Sequence, residues 1–170
     1  HEHEPGLAVE FSERFPTADG RGRLVPAHYH PGPEQADEQF PLLLATGRLL
    51  EHWHTGAMTR RAAVLDALAP QAEIAVHPHD AQRLCLSAGS LATITTRHGQ
   101  IEAWVHISDA VQPGQLFLPF AYWEAAANRL TGAALDPVGK IPGFKVTAAR
   151  IAPSVGVQAE DVDGAARAAA

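Results

Sequence analysis

The chain has 170 residues, of which 46% are hydrophobic and 19% charged, and its net charge is −6 at pH 7. This composition predicts one globular domain with extensions and a buried core. The acidic balance argues against nucleic-acid binding, which needs clustered Lys and Arg, and no apolar run is long enough to span a membrane. The single cysteine, Cys85, excludes an intrachain disulfide and a multi-cysteine zinc site, and it agrees with a reducing, cytoplasmic location.

The two ends of the chain lack the hydrophobic periodicity of folded elements. Residues 1–39 are rich in Pro, Gly and charge, and they predict an extended arm and linker with a hairpin-like turn at Asp19-Gly20. Residues 153–170 have mostly small side chains and predict a flexible tail. The folded domain is therefore expected over residues 40–152.

The predicted domain alternates short strands with connections marked by Gly and Pro. A buried strand is expected first, over residues 40–47. Apolar or alternating residues predict the later strands at 72–77, 90–96, 100–107 and 144–152, and residues 111–120 predict a Pro-Gly turn followed by another strand. Helical spacing predicts helices at 61–70 and 78–86, and residues 123–132 predict a helical turn. This pattern favours a mainly β fold with short helices, a small barrel or a sandwich, over a regular βαβ array.

Three small residues carry local expectations. Gly99 is expected to take a positive φ in a tight hairpin, and Gly132 to end a helical turn as a left-handed cap. Cys85 falls on an apolar face of a predicted helix, which indicates a buried, inert thiol.

The densest polar group follows the first predicted strand, in Thr46-Gly47-Arg48 and the EHWHTGAMTRR that comes soon after it. A glycine there allows a backbone or ligand to approach closely, and an arginine suits a bidentate grip on phosphate. Residues 48–61 contain three Arg and one Glu, a local charge of +2 in an acidic chain. An anionic ligand is one interpretation. The alternative is that Arg60 and Arg61 face water and that Trp53 packs in a core or interface.

Other candidate chemistry is weaker. No acid–base pair or nucleophile motif stands out, so no catalytic residue is expected. Histidines two residues apart share one face of a strand, but none has a carboxylate or Cys at metal-site spacing, so no protein-ligated metal is expected. The pairs are His1/His3, His28/His30, His52/His54 and His77/His79.

A second polar group spans residues 125–145. Asn128 offers both a donor and an acceptor, as the edge of a heterocycle requires. Asp136, Lys140 and Lys145 follow it towards the last predicted strand. The residues alone favour a capping Asn and surface lysines over a binding site.

The two groups together, LLLATGRLLEHWHTGAMTRR and AAANRLTGAALDPVGKIPGFK, resemble the carboxy-terminal domain of the molybdopterin oxidoreductases, the DMSO reductase family. The stretch between them has the order found in that family. The HWHTGAMTRR form is shared by formate dehydrogenases and by periplasmic and assimilatory nitrate reductases, whereas the second group is more similar to formate dehydrogenase. The resemblance covers roughly residues 15–152.

This resemblance implies a double-psi β-barrel that binds bis(molybdopterin guanine dinucleotide) with molybdenum or tungsten. It implies partners that carry the iron–sulfur cluster and the metal ligand, electron-transfer subunits, and no activity of this chain alone. The implied enzyme is a formate dehydrogenase; alternatives are a nitrate reductase of the same family and a non-catalytic barrel for binding or assembly. The cofactor-binding residues implied are Thr46, Gly47, Arg48, His52, His54, Thr55, Asn128, Phe144 and Lys145.

Overall fold

The structure is a computed structural model that describes residues 11–32 and 34–154. The described residues divide into two compact units, with residues 11–30 in the first and residues 31–32 and 34–154 in the second. In the second unit, two 3-10 helices, Thr59–Arg61 and Ala127–Arg129, accompany the regular elements. These elements are β1 (Leu42–Gly47), α1 (Ala63–Leu68), β2 (Glu73–Val76), α2 (Pro78–Arg83), β3 (Leu91–Thr96), β4 (Gln100–Ile107), β5 (Gln115–Pro119) and β6 (Thr147–Pro153).

The six strands close into a barrel in the order β1-β5-β2-β4-β3-β6. β1 pairs with β5, and β2 with β4, in parallel, while the other four neighbouring pairs are antiparallel. Parallel neighbours require crossing connections rather than hairpins. A closed six-stranded barrel with two such pairs is a double-psi β-barrel, so the predicted mainly β fold is confirmed.

Alternation along the strands fills the inside of the barrel. In β3 and β4 every second side chain is buried, because successive side chains of a strand point to opposite faces. Apolar side chains from all six strands meet in one core. Its largest members on the strands are Leu42, Leu44, Ile74, Val76, Ile94, Ile101, Val105, Leu116, Leu118 and Ile151.

The strand directions give the barrel two different ends. The carboxyl ends of β1, β3 and β5 lie beside the amino ends of β2, β4 and β6. The two longest connections, residues 48–72 and 120–146, both leave from this end, which we call the loop end. The connections that run from β2 to β3 and from β4 to β5 lie at the other, which we call the α2 end.

A buried carboxylate closes the α2 end. Asp80 is 3% exposed and accepts hydrogen bonds from the Gly114 backbone N–H at 2.6 Å and the Arg83 guanidinium at 3.0 Å. Burial alone would raise the pKa of Asp80, but these two donors outweigh burial, so its pKa lies below the usual value. The ionised carboxylate therefore fastens α2 to the turn before β5.

The segment before β1 is fastened to the barrel by ion pairs. Glu34 accepts hydrogen bonds from the Ala148 backbone N–H at 2.9 Å and from the His98 imidazole. Asp37 pairs with Arg97, and its carboxylate also accepts the backbone N–H of Phe40 at 2.8 Å. These contacts hold residues 34–40 against β6 and the β3–β4 turn.

The predicted helices form only in part. α1 ends before Pro70, and α2 begins with Pro78 in its first turn, as expected, although both helices have six residues. The helical turn predicted within residues 123–132 is the short 3-10 helix Ala127–Arg129, which ends before Gly132. Gly132 is not a left-handed cap: it lacks a positive φ, and a Cβ on it would lie 2.9 Å from the His98 imidazole. Close packing explains this glycine.

Two further local predictions were wrong. Gly99 does lie in the β3–β4 turn, but without a positive φ; a Cβ there would lie 2.6 Å from the Arg129 carbonyl oxygen. Cys85 is exposed rather than buried, because α2 ends at Arg83 and Cys85 takes a φ of 55° in the following turn.

The described residues of the first unit contain one tight turn. The Phe15 N–H donates to the Gly20 carbonyl at 3.0 Å, and the Gly20 N–H donates to the Thr17 carbonyl at 3.1 Å. Gly20 has a φ of 72°, a conformation that glycine adopts without steric cost. The turn predicted at Asp19-Gly20 is therefore confirmed.

The proposed division into residues 1–39, 40–152 and 153–170 stays a prediction, and most of the expected tail, residues 155–170, lies outside the described residues. Across the described ranges, no helix combines the length and apolar character that crossing a membrane requires.

Candidate binding site at the loop end of the barrel

A cavity of about 300 Å³ opens at the loop end of the barrel. Its wall is mainly aromatic and aliphatic, with a few hydroxyl, imidazole and amide groups, which is the usual composition of a small-molecule pocket. Three separate segments of the chain contribute to it. The lining residues are Thr46, His54, Thr55, Phe120, Tyr122, Trp123, Ala126, Ala127, Asn128 and Phe144.

The barrel topology explains why these segments meet. β1 and β5 are parallel, and Gly47 is paired with Pro119, so the chain leaves both strands side by side. The connection after β1 supplies His54 and Thr55, and the connection after β5 supplies the aromatic residues and Asn128. Five of the nine residues singled out from the sequence line this cavity: Thr46, His54, Thr55, Asn128 and Phe144.

Thr46 joins the start of the site to its end. Its hydroxyl donates to the Phe144 carbonyl at 2.6 Å, and its own carbonyl accepts the Lys145 ammonium at 2.8 Å. The Lys145 nitrogen also lies 5.1 Å from the centroid of the Phe144 ring. An ammonium has three donors, so Lys145 can still offer hydrogen bonds to an anion while it holds the segment after residue 143 against β1.

Gly47 and Arg48 end the first strand. A Cβ on Gly47 would lie 2.5 Å from the Phe117 ring, so the close approach predicted for this glycine is made by an aromatic side chain. Arg48 is exposed, and its guanidinium carbon lies 6.0 Å from the centroid of the Trp53 ring. Its donors are therefore accessible to solvent, and Arg48 is not among the residues that line the cavity. Trp53 itself is 66% exposed, so the alternative that it packs in a core was wrong.

His54 and Thr55 sit in a tight turn. His54 has a φ of 53° and its ring centroid lies 5.4 Å from that of Phe120. The next glycine, Gly56, has a φ of 73°, and a Cβ on it would lie 2.5 Å from the Ala121 carbonyl oxygen. A side chain is thus excluded at residue 56 both by backbone strain and by contact, which fixes the position of the two exposed residues before it.

His52 is not part of the cavity wall. It is 1% exposed, and both ring nitrogens have partners: Nε2 lies 2.8 Å from the Ala69 carbonyl oxygen and Nδ1 lies 3.3 Å from the Thr59 hydroxyl. The ring also makes an edge contact with Tyr122. The structure therefore places His52 behind the site, among groups that hold it in position.

The positive charge around residues 48–61 is partly neutralised. Arg60 donates to Glu124 at 2.6 Å and to Asp66 at 3.2 Å, and it lies 4.8 Å from the Tyr122 ring centroid. Its hydrogen bond to Glu124, with that to Asp66, raises the pKa of Arg60 above the ordinary value. Arg60 thus neither faces bulk water nor remains free for an anion, whereas Arg61 is exposed, as expected of a solvent-facing residue.

Asn128 is positioned by the turn between β3 and β4. The buried Thr96 hydroxyl donates to the Leu130 carbonyl at 2.9 Å. Gly99 meets the backbone of Arg129, where a Cβ would clash. The 3-10 helix that carries Asn128 therefore rests on the backbone of this turn, and the Asn128 side chain is left exposed at the mouth of the cavity.

Three aromatic residues that line the cavity were not predicted from the sequence: Phe120, Tyr122 and Trp123. Tyr122 is 2% exposed, and burial raises the pKa of its phenol. Trp123 is 85% exposed. The available signal was their cluster in FAYW, directly after a buried strand, because aromatic side chains beside polar ones are typical of ligand pockets.

The histidine pairs do not form a metal site in the described part of the chain, where no group of three or more His, Cys, Asp or Glu could hold an ion. Instead, His77 is the N-cap of α2, and its Nδ1 accepts the His79 backbone N–H at 3.1 Å. The His77/His79 pair therefore contributes a helix cap.

Residues 42–148 match the family model described as the molydopterin dinucleotide binding domain, which covers β1 to β5 and the first two residues of β6. The chain belongs to this family. Because the family is named for its ligand, this molydopterin-binding domain binds a pterin dinucleotide. The structure fits a heterocyclic ligand, because the wall of the cavity of about 300 Å³ is mainly aromatic and aliphatic and also carries hydroxyl, imidazole and amide groups.

The curated relatives that the domain matches are much longer proteins. It is 37% identical to the F420-dependent formate dehydrogenase subunit alpha of Methanocaldococcus jannaschii, over 88% of this chain and 22% of that protein. It is 35% identical to the F420-dependent formate dehydrogenase 1 subunit alpha of Methanococcus maripaludis, over 87% of this chain and again 22% of the relative. The chain therefore spans about a fifth of the length of the relatives it matches.

Among solved structures, the domain is similar to part of the acetylene hydratase from Pelobacter acetylenicus. The TM-score is 0.64 at 18% identity, over 69% of this chain and 19% of that one. At this identity the similarity supports the barrel fold and does not bear on the reaction.

Proposed function

We propose that this domain binds part of a bis(molybdopterin guanine dinucleotide) carrying molybdenum or tungsten, within a formate dehydrogenase that interconverts formate and carbon dioxide. One observation carries the proposal: three separated segments converge on one cavity at the loop end, in a domain 35–37% identical to two formate dehydrogenase alpha subunits. The remaining four fifths of such a protein, with its partner subunits, would carry the metal ligand, the iron–sulfur cluster and the route to the electron acceptor. We place this enzyme in the cytoplasm.

Each side of the site has a separate role in this proposal. Arg48 and the backbone after Thr46 bind the pyrophosphate, because a guanidinium offers paired donors to phosphate oxygens. Lys145, whose ammonium donates a hydrogen bond to the Thr46 carbonyl, adds a second positive charge. Asn128 offers a donor and an acceptor to a heterocycle edge, and Phe144 and the other aromatic residues exclude water from its faces.

The chemistry within this chain is binding and orientation. When bound, the cofactor supplies the redox metal at which the substrate would react. Nearby positive charge and hydrogen-bond donors stabilise electron-rich states of a bound group. Arg48, Lys145, His54 and Asn128 are the residues of this chain placed to supply them.

Arg48→Ala tests the proposed contact with phosphate. Loss of one charge-assisted hydrogen-bonding group costs about 1.5–3 kcal/mol, so cofactor affinity should fall at least tenfold. The polypeptide that contains this domain would be purified, and its molybdenum or tungsten and its guanine nucleotide counted per chain. Arg150→Ala, which removes a guanidinium from the outer face of β6, is the matched control. Unchanged metal and nucleotide content in Arg48→Ala would disprove the contact.

The same purified protein distinguishes the two redox enzymes. We expect formate-dependent reduction of an artificial dye and no nitrate-dependent oxidation of the reduced dye. The opposite result would assign the domain to a nitrate reductase. Purified protein that holds the dinucleotide but shows neither activity would support the third alternative, a barrel for binding or assembly.

A further inference from the structure

Two segments of the site share one hydrogen-bond acceptor, the carbonyl oxygen of Ala69. His52 Nε2 lies 2.8 Å from it, and the Tyr122 hydroxyl donates to it at 2.9 Å. Ala69 is the C-cap of α1, and the last carbonyls of a helix have no partner within the helix. Pro70 follows, so the helix cannot continue and satisfy this carbonyl. The donors from the two connections therefore meet at the end of one helix.

The hydrogen-bond network also assigns a hydrogen to His52 Nε2. A carbonyl oxygen can only accept, so the 2.8 Å contact with Ala69 requires Nε2 to donate to it. The Thr59 hydroxyl oxygen accepts the Trp53 backbone N–H at 3.0 Å and lies 3.3 Å from His52 Nδ1, to which it can donate its own hydrogen. Both ring nitrogens of His52 thus have partners.

We propose that His52 and Tyr122 are positioning residues that fix the two sides of the cavity relative to each other through the Ala69 carbonyl. His52 stands two residues before His54, which lines one side, while Tyr122 lies on the other side itself. Their rings also meet edge to face, with centroids 5.7 Å apart. The inference rests on the proposed function, since it concerns retention of the same dinucleotide.

The chain offers substitutions that separate this role from general stability. His52→Leu removes both hydrogen bonds while it keeps an apolar side chain, whereas His52→Gln keeps an N–H donor that can reach the Ala69 carbonyl. Tyr122→Phe removes only the hydroxyl. Val105→Ala is the control, because Val105 is buried in β4 near the α2 end, away from the cavity. This substitution should lower the free energy of unfolding without affecting the shared acceptor.

The experiment measures release of the dinucleotide from the polypeptide that contains this domain, as guanine nucleotide freed over time, alongside a urea unfolding curve for each variant. His52→Leu should release it about tenfold faster than wild type, the change that corresponds to one lost hydrogen bond. His52→Gln should stay within about threefold of wild type. The double variant, His52→Leu with Tyr122→Phe, should increase the release rate by more than the product of the two single increases. In this variant the Ala69 carbonyl has lost both donors.

A nitrogen NMR spectrum of the protein without ligand supplies a readout that does not depend on the cofactor: His52 should show the Nε2–H tautomer. The inference fails if His52→Gln releases the dinucleotide as fast as His52→Leu, or if Val105→Ala matches His52→Leu at equal loss of stability. If wild-type protein retains the dinucleotide and His52→Leu releases it at the same rate, this inference is overturned but the proposed function is not. Wild-type protein that never holds a dinucleotide overturns the proposed function and this inference with it.

Discussion

The two ends of the barrel are formed by the same six strands but differ in their connections. At the α2 end, Asp80 is buried and fully engaged, and the chain turns at Gly89 and Gly114, which both have a positive φ. At the loop end, two connections of more than twenty residues each carry exposed apolar side chains. They include Leu50, Trp53, Met58, Val64, Leu68, Trp123, Leu135, Val138 and Ile141. Of the large apolar residues that the structure describes in β1 to β6, Trp104 alone is exposed.

The difference separates stability from binding. A tight turn needs a particular backbone conformation and satisfied hydrogen bonds, which the α2 end provides with few side chains. A binding site needs side chains that are held in position yet remain accessible, which requires longer connections supported from behind. Substitutions at the α2 end should therefore change stability alone, and substitutions at the loop end should change stability and ligand retention together.

Asp80→Ala should have the largest effect on stability and none on retention. It removes a charge-assisted acceptor and leaves the Gly114 N–H without its partner, so the free energy of unfolding should fall by about 2–3 kcal/mol. Urea unfolding gives the value. Glu102→Ala, which removes an exposed carboxylate from β4, should cost under about 0.5 kcal/mol. If Asp80→Ala released the dinucleotide faster than wild type, the two ends would not be independent.

The same contact predicts a pH dependence at the α2 end. Because the folded-state pKa of Asp80 is lowered, its contribution is present above the ordinary value of 3.8 and is lost as pH falls through the folded-state pKa. Wild-type protein should therefore lose more stability than Asp80→Ala as the solution is acidified below that value. The test is to measure the free energy of unfolding of both proteins as the pH is lowered. Equal losses of stability in the two proteins would contradict the prediction.

Gly99→Ala should have the next largest effect and should change both properties. The new Cβ would lie 2.6 Å from the Arg129 carbonyl oxygen, so the 3-10 helix that carries Asn128 must move. Overpacking of this kind costs about 1–3 kcal/mol. Urea unfolding and dinucleotide release should both be altered. Gly143→Ala makes the same chemical change where the nearest atom is 3.6 Å away, and it should leave the free energy of unfolding within about 0.5 kcal/mol.

The comparison also explains which features could be predicted from the sequence. The strands follow from alternation, so β3 and β4 were found to within one residue. The turns at Asp19-Gly20 and before β5 follow from residue types that favour a positive φ. Such signals are local, and they are strong because few residues fit them.

The errors arose where a tertiary contact decides the outcome. Gly99 and Gly132 are small because backbone and imidazole atoms lie close to them, and no local pattern distinguishes that reason from a turn. The cofactor contact that the family resemblance implies for His52 stays a prediction, whereas the partners that the structure gives its ring lie at residues 59, 69 and 122. The aromatic residues after β5 join the site only because β5 is parallel to β1, a pairing that the sequence does not encode locally.

Arg60→Met should have the smallest effect and tests how side chains support the loop end. Arg60 links the connection after β1 to Glu124 in the connection after β5, and its side chain is 18% exposed. Because this pair is partly shielded from solvent, its loss should lower the free energy of unfolding by about 1 kcal/mol, more than a fully exposed pair contributes.

The neighbouring Arg61→Met is the matched control, since Arg61 is exposed, and it should change the free energy of unfolding by under about 0.5 kcal/mol. Raising the salt concentration should narrow the gap between the two variants without closing it, because screening weakens shielded pairs less than exposed ones. Equal effects of Arg60→Met and Arg61→Met would mean that the two connections are held together by backbone and apolar contacts, and that the ion pairs around Tyr122 add nothing to the site.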